Sequence, residues 1–579
     1  MSAADELAPI APGRRWPWLL AVIALLAGAF VLRLWGVKQG LPYSYNLDEG
    51  SHYVPRAIGM FGHSLDPHYY VNPPAYTYVL HAAFALAWGG RAGVSHQFAT
   101  DPQSVYVLAR VIAAVLGTLA VWLLYLAGAR LFDRRVALLA AALFAVAYLP
   151  VFYAHQALND TPTLAPLCLG LWGAAGIVRF GRIRDCAWAG LGVGLTCATK
   201  YTGGIVVLPV LGAIVAHVTA GRPVGRSRWW PWQALGAMTA VAVVAFVVAD
   251  PYSILSWHGF TDALRQQSLA ADDALGKLGL TQHDGYTYYL WTFSWGLGWA
   301  PLVATVGGAV GLLFWDRRAA LVLIPAPIAF VAFMGAQSRH FGRWLLPVFP
   351  IACLLAAAGV MLAIDRFGAR LRPAVRRVLY AVAAVALCLQ GVVHSVHSDV
   401  LLARQDTRGQ ARAWLAANVP PGTKIVVEPI VPGAWLDDIG RASPLTAFGD
   451  RWQRFTPNSL AGTGVPAPPV VAAEDYERTL SPALLIGYER AGYCWVISGS
   501  TQSGRAQVDP SVVPGAIAYY RALARQAVVA ARFSPYRRGA KPVRFNFDWS
   551  FDTYPLAYAR SGPVVTIWHL RDGGCGSVD

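Results

Sequence analysis

The chain has 579 residues, 56% hydrophobic and only 13% charged, with a net charge of +16 and a mean hydropathy of +0.43. Soluble globular chains are about 45–50% apolar and about 25% charged, because water-facing surface needs charge that lipid-facing surface cannot carry. The composition excludes an ordinary soluble domain. The basic excess does not point to nucleic acid either, since the arginines stand in short clusters between apolar runs, which is a topology signal.

Arg14 and Arg15 precede an apolar run from Trp16 to Trp35, long enough to span and too long for the core of a cleavable signal. It is expected to stay as an anchor. With this first span at 16–37, apolar runs near 104–131, 136–153, 161–180, 186–200, 201–219, 231–250, 292–315, 319–337, 343–364 and 376–396 predict about eleven spanning helices. The stretch 73–89, opened by Pro73 and Pro74 and closed by Gly89 and Gly90, sits at the lower limit of spanning length.

Basic clusters occur at Arg14–Arg15, Arg130/Arg134/Arg135, Arg179/Arg182/Arg184, Arg222/Arg226/Arg228, Arg317–Arg318 and Arg366 through Arg377. If 73–89 does not cross, every cluster falls on the cytoplasmic side; if it crosses, all but the first fall outside. The non-crossing topology is therefore preferred, with 73–89 an interfacial or re-entrant helix in a first outer loop at 38–103. It places Asp48, Glu49, Asp160, Lys200, Asp250, a second outer loop at 251–291 and the Arg339, His340, Arg343 group on one outer face.

From residue 397 the composition changes. Lys424–Glu428 and Tyr493–Ile497 read as buried strands, and Asp406–Asn418 as an amphipathic helix ended by Pro420-Pro-Gly422. Residues 442–470 read as a long loop. The expected architecture is a polytopic α-helical transmembrane domain at 1–396 followed by a soluble extracytoplasmic α/β domain at 397–579. Cys168, Cys186, Cys197, Cys353 and Cys388 lie in or beside apolar segments as small core residues. Whether Cys494 and Cys575, in the polar C-terminal part, form a disulfide is left open.

The strongest local feature is Tyr45-Asn-Leu-Asp-Glu-Gly-Ser-His-Tyr53. Two adjacent carboxylates at a membrane boundary are costly unless solvated, paired or functional. One facing a partly apolar cavity can act as a general base toward a hydroxyl; the competing reading is that Asp48 and Glu49 charge the first turn of a juxtamembrane helix. Asp160, before Thr161-Pro162, admits the same helix-terminal reading. Lys200 either snorkels to the interface or faces a phosphate. Arg339, His340 and Arg343 violate the positive-inside rule unless they have a task, and the guanidinium fork suits a phosphate. His52, His63, His68, His155, His283 and His340 would share the outer face with the acids, so a divalent metal is an open expectation, although no tight ligand spacing is present. No phosphate-binding glycine loop, zincin motif or serine nucleophile elbow occurs.

The order of motifs resembles the C-type-fold membrane glycosyltransferases, specifically the group of protein O-mannosyltransferases and aminoarabinose transferases. The carriers are Leu47-Asp-Glu-Gly50, Asn72-Pro-Pro-Ala-Tyr76, Ala109-Arg-Val-Ile-Ala-Ala-Val-Leu-Gly-Thr118 with Gly128-Ala-Arg-Leu-Phe132, Leu158-Asn-Asp160, Thr199-Lys-Tyr-Thr202 and Arg343-Trp-Leu-Leu-Pro347, covering residues 15–400. The resemblance implies inverting transfer of a sugar from a polyprenyl-phosphate donor to a lipid, glycan or protein hydroxyl on the outer face. It implies Asp48 as base, with Glu49 and Asp160 as further acids. Lys200, Arg339 and Arg343 follow as donor-phosphate ligands, with His52, Tyr53, Asn72 and His340 in support. At Asn72 many relatives carry a basic residue or histidine, so the phosphate or acceptor arrangement is open here. A transporter or flippase of lipid-linked sugars is the alternative, and a non-catalytic envelope-assembly scaffold a third.

Overall fold

The computed structural model describes residues 16–62, 64–220, 228–272, 278–280, 284–438 and 449–571. Each predicted span coincides with a helix or a broken helix. Among the described residues, eight helices are long and apolar enough to cross a membrane, or nine if the bent pair Arg134–Val146 and Tyr148–Ala154 forms one span. The expected eleven also counted Leu164–Phe180 and Ile183–Thr199, each of 17 residues. At about 1.5 Å per residue these rise about 26 Å, short of a hydrocarbon core about 30 Å thick.

Sequence explains how these shorter helices pack. Cβ atoms on Gly190 and Gly194 would stand 2.3 and 2.2 Å from the carbonyl oxygens of Met238 and Ala242. The backbones of Ile183–Thr199 and Trp230–Ala249 thus touch directly, the close approach that small residues permit between apolar helices.

The 56° bend between Arg134–Val146 and Tyr148–Ala154 has a chemical cause. Pro150 has no N–H to offer and its ring crowds the carbonyl four residues earlier. That carbonyl, Val146 O, accepts instead from Ser395 Oγ at 3.0 Å. The bend delivers the chain into a buried irregular stretch, 155–163. Such backbone is tolerated at membrane depth only when protein groups satisfy it, and the partners that do so build the site described below.

Residues 73–89 give a 14-residue helix, Ala75–Trp88, started at Pro74 and stopped at Gly89, where φ is 80°. It rises about 21 Å, too little to cross. It packs Tyr76, Thr77, Leu80 and Phe84 inward.

The last membrane helix runs to Leu402, past the boundary expected at 397, because its apolar face continues inward through Leu401 and Leu402. Beyond it, Asp406 caps the helix Thr407–Asn418. A five-stranded mixed sheet follows, in the order Gln453–Arg454, Lys424–Val427, Trp495–Gly499, Val565–Leu570, Ala527–Phe533. The first three run parallel and the last two pair antiparallel. Both predicted strands are present. Of the expected loop 442–470, residues 442–448 lie outside the described residues. The remainder holds short strands, a 3₁₀ turn at Pro457–Leu460 and the buried Trp452 and Leu460. Cys494 is disulfide-bonded and the five membrane-domain cysteines are free thiols; Cys575 lies outside the described residues.

Candidate active site

Asn46 organises the loop that follows the first spanning helix. Its Oδ1 accepts from the backbone N–H groups of Asp48 and Glu49 at 3.0 and 3.2 Å, and its Nδ2 donates to Gln156 Oε1 at 2.6 Å. Asn46 therefore does the local capping that Asp48 and Glu49 were candidates for. Asp48 makes no side-chain cap bond at the wide helical turn 49–53, and its carboxylate is turned toward other partners.

Arg343 Nη2 donates to Asp48 Oδ2 at 2.7 Å across 295 residues of sequence. His52 Nε2 lies 3.9 Å from Asp48 Oδ1. Burial works against the charge on Asp48, but Arg343 and His52 outweigh it and hold the carboxyl below its usual range. Asp160 and Lys200 form a second ion pair, both buried. Burial draws the Lys200 ammonium below its ordinary value, and Asp160 opposes that most strongly. The two pairs feel one another, since Lys200 acts on Asp48 and Arg343 on Lys200. Lys200 is not snorkelling. Its backbone neighbour Thr199 accepts from Asn159 Nδ2 at 2.8 Å, which ties the 155–163 stretch to the lysine.

The supporting residues divide. The His52 ring stacks on Tyr69 at 4.6 Å, Asn72 Nδ2 donates to Tyr69 Oη at 2.9 Å, and Arg56 lies over the same ring at 4.3 Å. A chain of contacts thus runs from Asn72 to Asp48. Tyr53 is buried within the field of Asp160 and Asp48. His340 is elsewhere: Gln337 O lies 2.8 Å from its Nε2 and its ring stacks on Tyr288.

Glu49 and Arg339 depart from expectation. Glu49 is fully buried and accepts four hydrogen bonds: from Arg110 Nε and Nη2 at 2.7 Å each, Ala157 N at 2.8 Å and Ser44 Oγ at 2.5 Å. Adjacent residues on a helical turn do not face the same way, so Glu49 points into the core while Asp48 faces Arg343. Arg339, four residues before Arg343, pairs with Glu474 of the C-terminal domain; the intervening residues 340–341 are not helical, with Phe341 extended, so the two arginines do not share a helix face. Arg339 does not join Asp48.

A divalent metal, left open by the sequence, has no ready-made cluster of ligands: among the described residues no group of three or more His, Cys, Asp or Glu is arranged to hold an ion. The acids of the cluster are already paired with Arg343 and Lys200. His68 lies beside Asp66 on the surface and His155 is buried between carbonyls of Trp35 and Val151; His63 and His283 fall outside the described residues.

Beside the cluster runs an apolar cavity of about 900 Å³, lined among others by Tyr76, Leu116, Leu119, Pro162, Thr199 and Leu255. Thr199 and Pro162 bring its wall within one and two residues of Lys200 and Asp160. Two contributors were missed by sequence reasoning. Arg110 was readable as a charge inside an apolar run, the ordinary mark of an intramembrane task. Asp552 of the C-terminal domain, which accepts from Tyr153 Oη, carries no local signal.

Residues 103–249, about a quarter of the chain, match the family model described as dolichyl-phosphate-mannose-protein mannosyltransferase. No curated protein sequence matches significantly. Among solved structures, the apo oligosaccharyltransferase of Archaeoglobus fulgidus aligns over 93% of this chain and 75% of its own, at 14% identity and a TM-score of 0.52. ArnT from Cupriavidus metallidurans, solved bound to undecaprenyl phosphate, aligns over 96% and 98% at 15% identity and a TM-score of 0.50. At such identities the likeness is one of fold. Over residues 103–249 the chain is similar to this mannosyltransferase family, and over most of its length its fold is like that of these two solved proteins, a likeness its motifs indicated.

Proposed function

We propose that the protein transfers a glycosyl group from a polyprenyl-phosphate-linked sugar to an acceptor hydroxyl at the extracytoplasmic face of the membrane. The observation that carries this reading is the meeting of Asp48, Arg343, Asp160 and Lys200 beside an apolar cavity of about 900 Å³. A polyprenyl phosphate is an anionic head on a long apolar tail, and the protein offers complementary surfaces side by side. ArnT binds undecaprenyl phosphate within the same fold, and the distribution of basic clusters favours an outer location for this face.

The resting contacts suggest the order of events. Arg343 holds Asp48 as a carboxylate. A phosphate entering near Arg343 and Lys200 competes for the guanidinium and frees Asp48 to accept a proton. The acceptor oxygen attacks the anomeric carbon opposite the phosphate and the carbon–oxygen bond to phosphate breaks. The electron pair leaves with the phosphate, and the acceptor proton passes to Asp48, inverting the anomeric centre. Arg343 and Lys200 stabilise the charge growing on the phosphate, and Asp160 orients Lys200. Glu49 is assigned a supporting role through Arg110, and Arg339 a role in docking the C-terminal domain.

The test compares glycans and envelope lipids by mass spectrometry in a deletion strain carrying either the wild-type gene or Asp48→Asn. A species restored by wild type only, with both proteins equally abundant in the membrane, is the expected outcome. Restoration by Asp48→Asn would sink the assignment and favour a carrier of lipid-linked sugars.

A further inference from the structure

The C-terminal domain inserts one segment into the membrane domain. The short helix Phe547–Phe551 is capped by Asn546, and Phe547 is buried in the main membrane core. Three tyrosines of the membrane domain hold this segment. Tyr288 Oη donates to Asp548 Oδ1 at 2.6 Å, Tyr148 Oη to the Asp552 carbonyl at 2.9 Å, and Tyr153 Oη to Asp552 Oδ1. The other oxygen of Asp552, Oδ2, is buried and has no hydrogen-bond partner among the described residues. Asp552 is only 2% exposed, and a buried carboxylate oxygen left without a donor is costly. Its field reaches Arg343, which also feels Asp48, Asp160 and Tyr153.

The inner cluster thus holds three carboxylates, Asp48, Asp160 and Asp552, against two cations, Arg343 and Lys200. Arg56 and His52 stand at its outer rim around Tyr69, and Asp548 lies behind Asp552 against Tyr288. A site built only to hold phosphate would not carry the third acid. The reaction supplies a reason. The donor is a phosphodiester with one negative charge, whereas the polyprenyl phosphate leaves with the electron pair as a doubly charged monoester, which takes up a proton only below its pKa of about 6.

We propose that Asp552, delivered by the C-terminal domain and held by Tyr153, is a positioning residue whose charge draws on Arg343 and biases the site against the doubly charged product. The apolar tail in the cavity supplies affinity, and the acid-rich head site favours release of the spent carrier. This inference rests on the polyprenyl-phosphate reading above. It also gives the C-terminal domain a task in the reaction cycle, so that removing the domain removes part of the site.

The test is binding of undecaprenyl phosphate to the purified full-length protein at pH 5.5 and pH 8, for wild type and Asp552→Asn, with melting temperatures alongside. Asparagine keeps the acceptor for Tyr153 and removes only the charge. The variant is expected to bind about tenfold more tightly than wild type at pH 8, with a smaller gain at pH 5.5, where the ligand is singly charged. His52 is common to both proteins and cancels from the ratio. A merely structural role would leave the variant binding equally or more weakly at both pH values, and that result overturns the proposal. Should Asp552→Asn fail to fold, Tyr153→Phe decides. It keeps the acid but strips its donor, so a loss of binding at pH 8 that largely disappears at pH 5.5 is expected; unchanged binding, or an equal loss at both pH values, overturns the proposal. If wild type binds no undecaprenyl phosphate at either pH, the functional reading itself fails; binding without an Asp552 effect defeats this inference alone.

Discussion

Removing Arg110 tests whether Glu49 is architecture or chemistry. In Arg110→Met the Glu49 carboxylate, fully buried, loses both 2.7 Å guanidinium bonds and keeps Ser44 and Ala157. The carbonyls of Val37 and Gln39 lose the donor they share, Arg110 Nη1 at 2.8 Å each. Breaking one side of a buried pair costs about 3–5 kcal/mol. Glu49→Gln keeps the shape but sets an amide N–H2 against donors and leaves the Arg110 guanidinium buried without its carboxylate, so it too costs about 3–5 kcal/mol. Replacing both by leucine is expected to cost less than the sum of the single changes. Unfolding of the detergent-solubilised protein by denaturant supplies the three free energies. Burial opposes the Glu49 charge, but Arg110, Ser44 and the Ala157 N–H hold its carboxyl below the usual value. The pair's stability is therefore present above the unfolded-state pKa and is lost as pH falls through the folded one. A Glu49→Gln protein as stable as wild type yet devoid of transfer would refute the structural assignment.

Three further outcomes are expected. Lys200→Met leaves Asp160 buried without its cation and should weaken undecaprenyl phosphate binding by about tenfold or more, measured by titration. Leu119→Trp places bulk in the apolar cavity, so it should weaken undecaprenyl phosphate binding while leaving a short-chain alkyl phosphate unaffected. Burial pushes the Asp250 carboxyl, just past the end of the helix Trp230–Ala249, up to about 6, with the Ser253 backbone N–H opposing the shift. Its burial penalty builds from pH about 4, where the unfolded chain ionises, and saturates above about 6. Asp250→Asn should therefore stabilise the protein by about 3 kcal/mol at pH 8 and by little at pH 4, read from denaturant unfolding at the two values.

Much of the membrane domain was legible because apolar run length encodes its helices directly. The helices Leu164–Phe180 and Ile183–Thr199 were legible as segments. The close approach of Ile183–Thr199 to Trp230–Ala249 rests on Gly190 and Gly194, which run length alone does not convey. Asp48, Asp160, Lys200 and Arg343 could be named because each is a charge beside an apolar run. Local sequence does not separate Arg343 from Arg339, or Asp48 from Glu49. One residue of rotation on a turn, or a break in the helix, decides which side chain meets the cluster. Asp552 lies 399 residues from its partner Tyr153 in a domain with weak motifs, so only tertiary structure reveals it.

The central claim is that Asp48 takes the acceptor proton while Arg343 and Lys200 hold the phosphate. It is tested most directly by measuring undecaprenyl phosphate affinity and sugar-transfer rate together in Asp48→Asn, using the donor identified by the complementation experiment. The expected result is binding at least as tight as wild type with transfer lowered about 10²–10⁴-fold. Transfer at the wild-type rate by this variant would contradict the account.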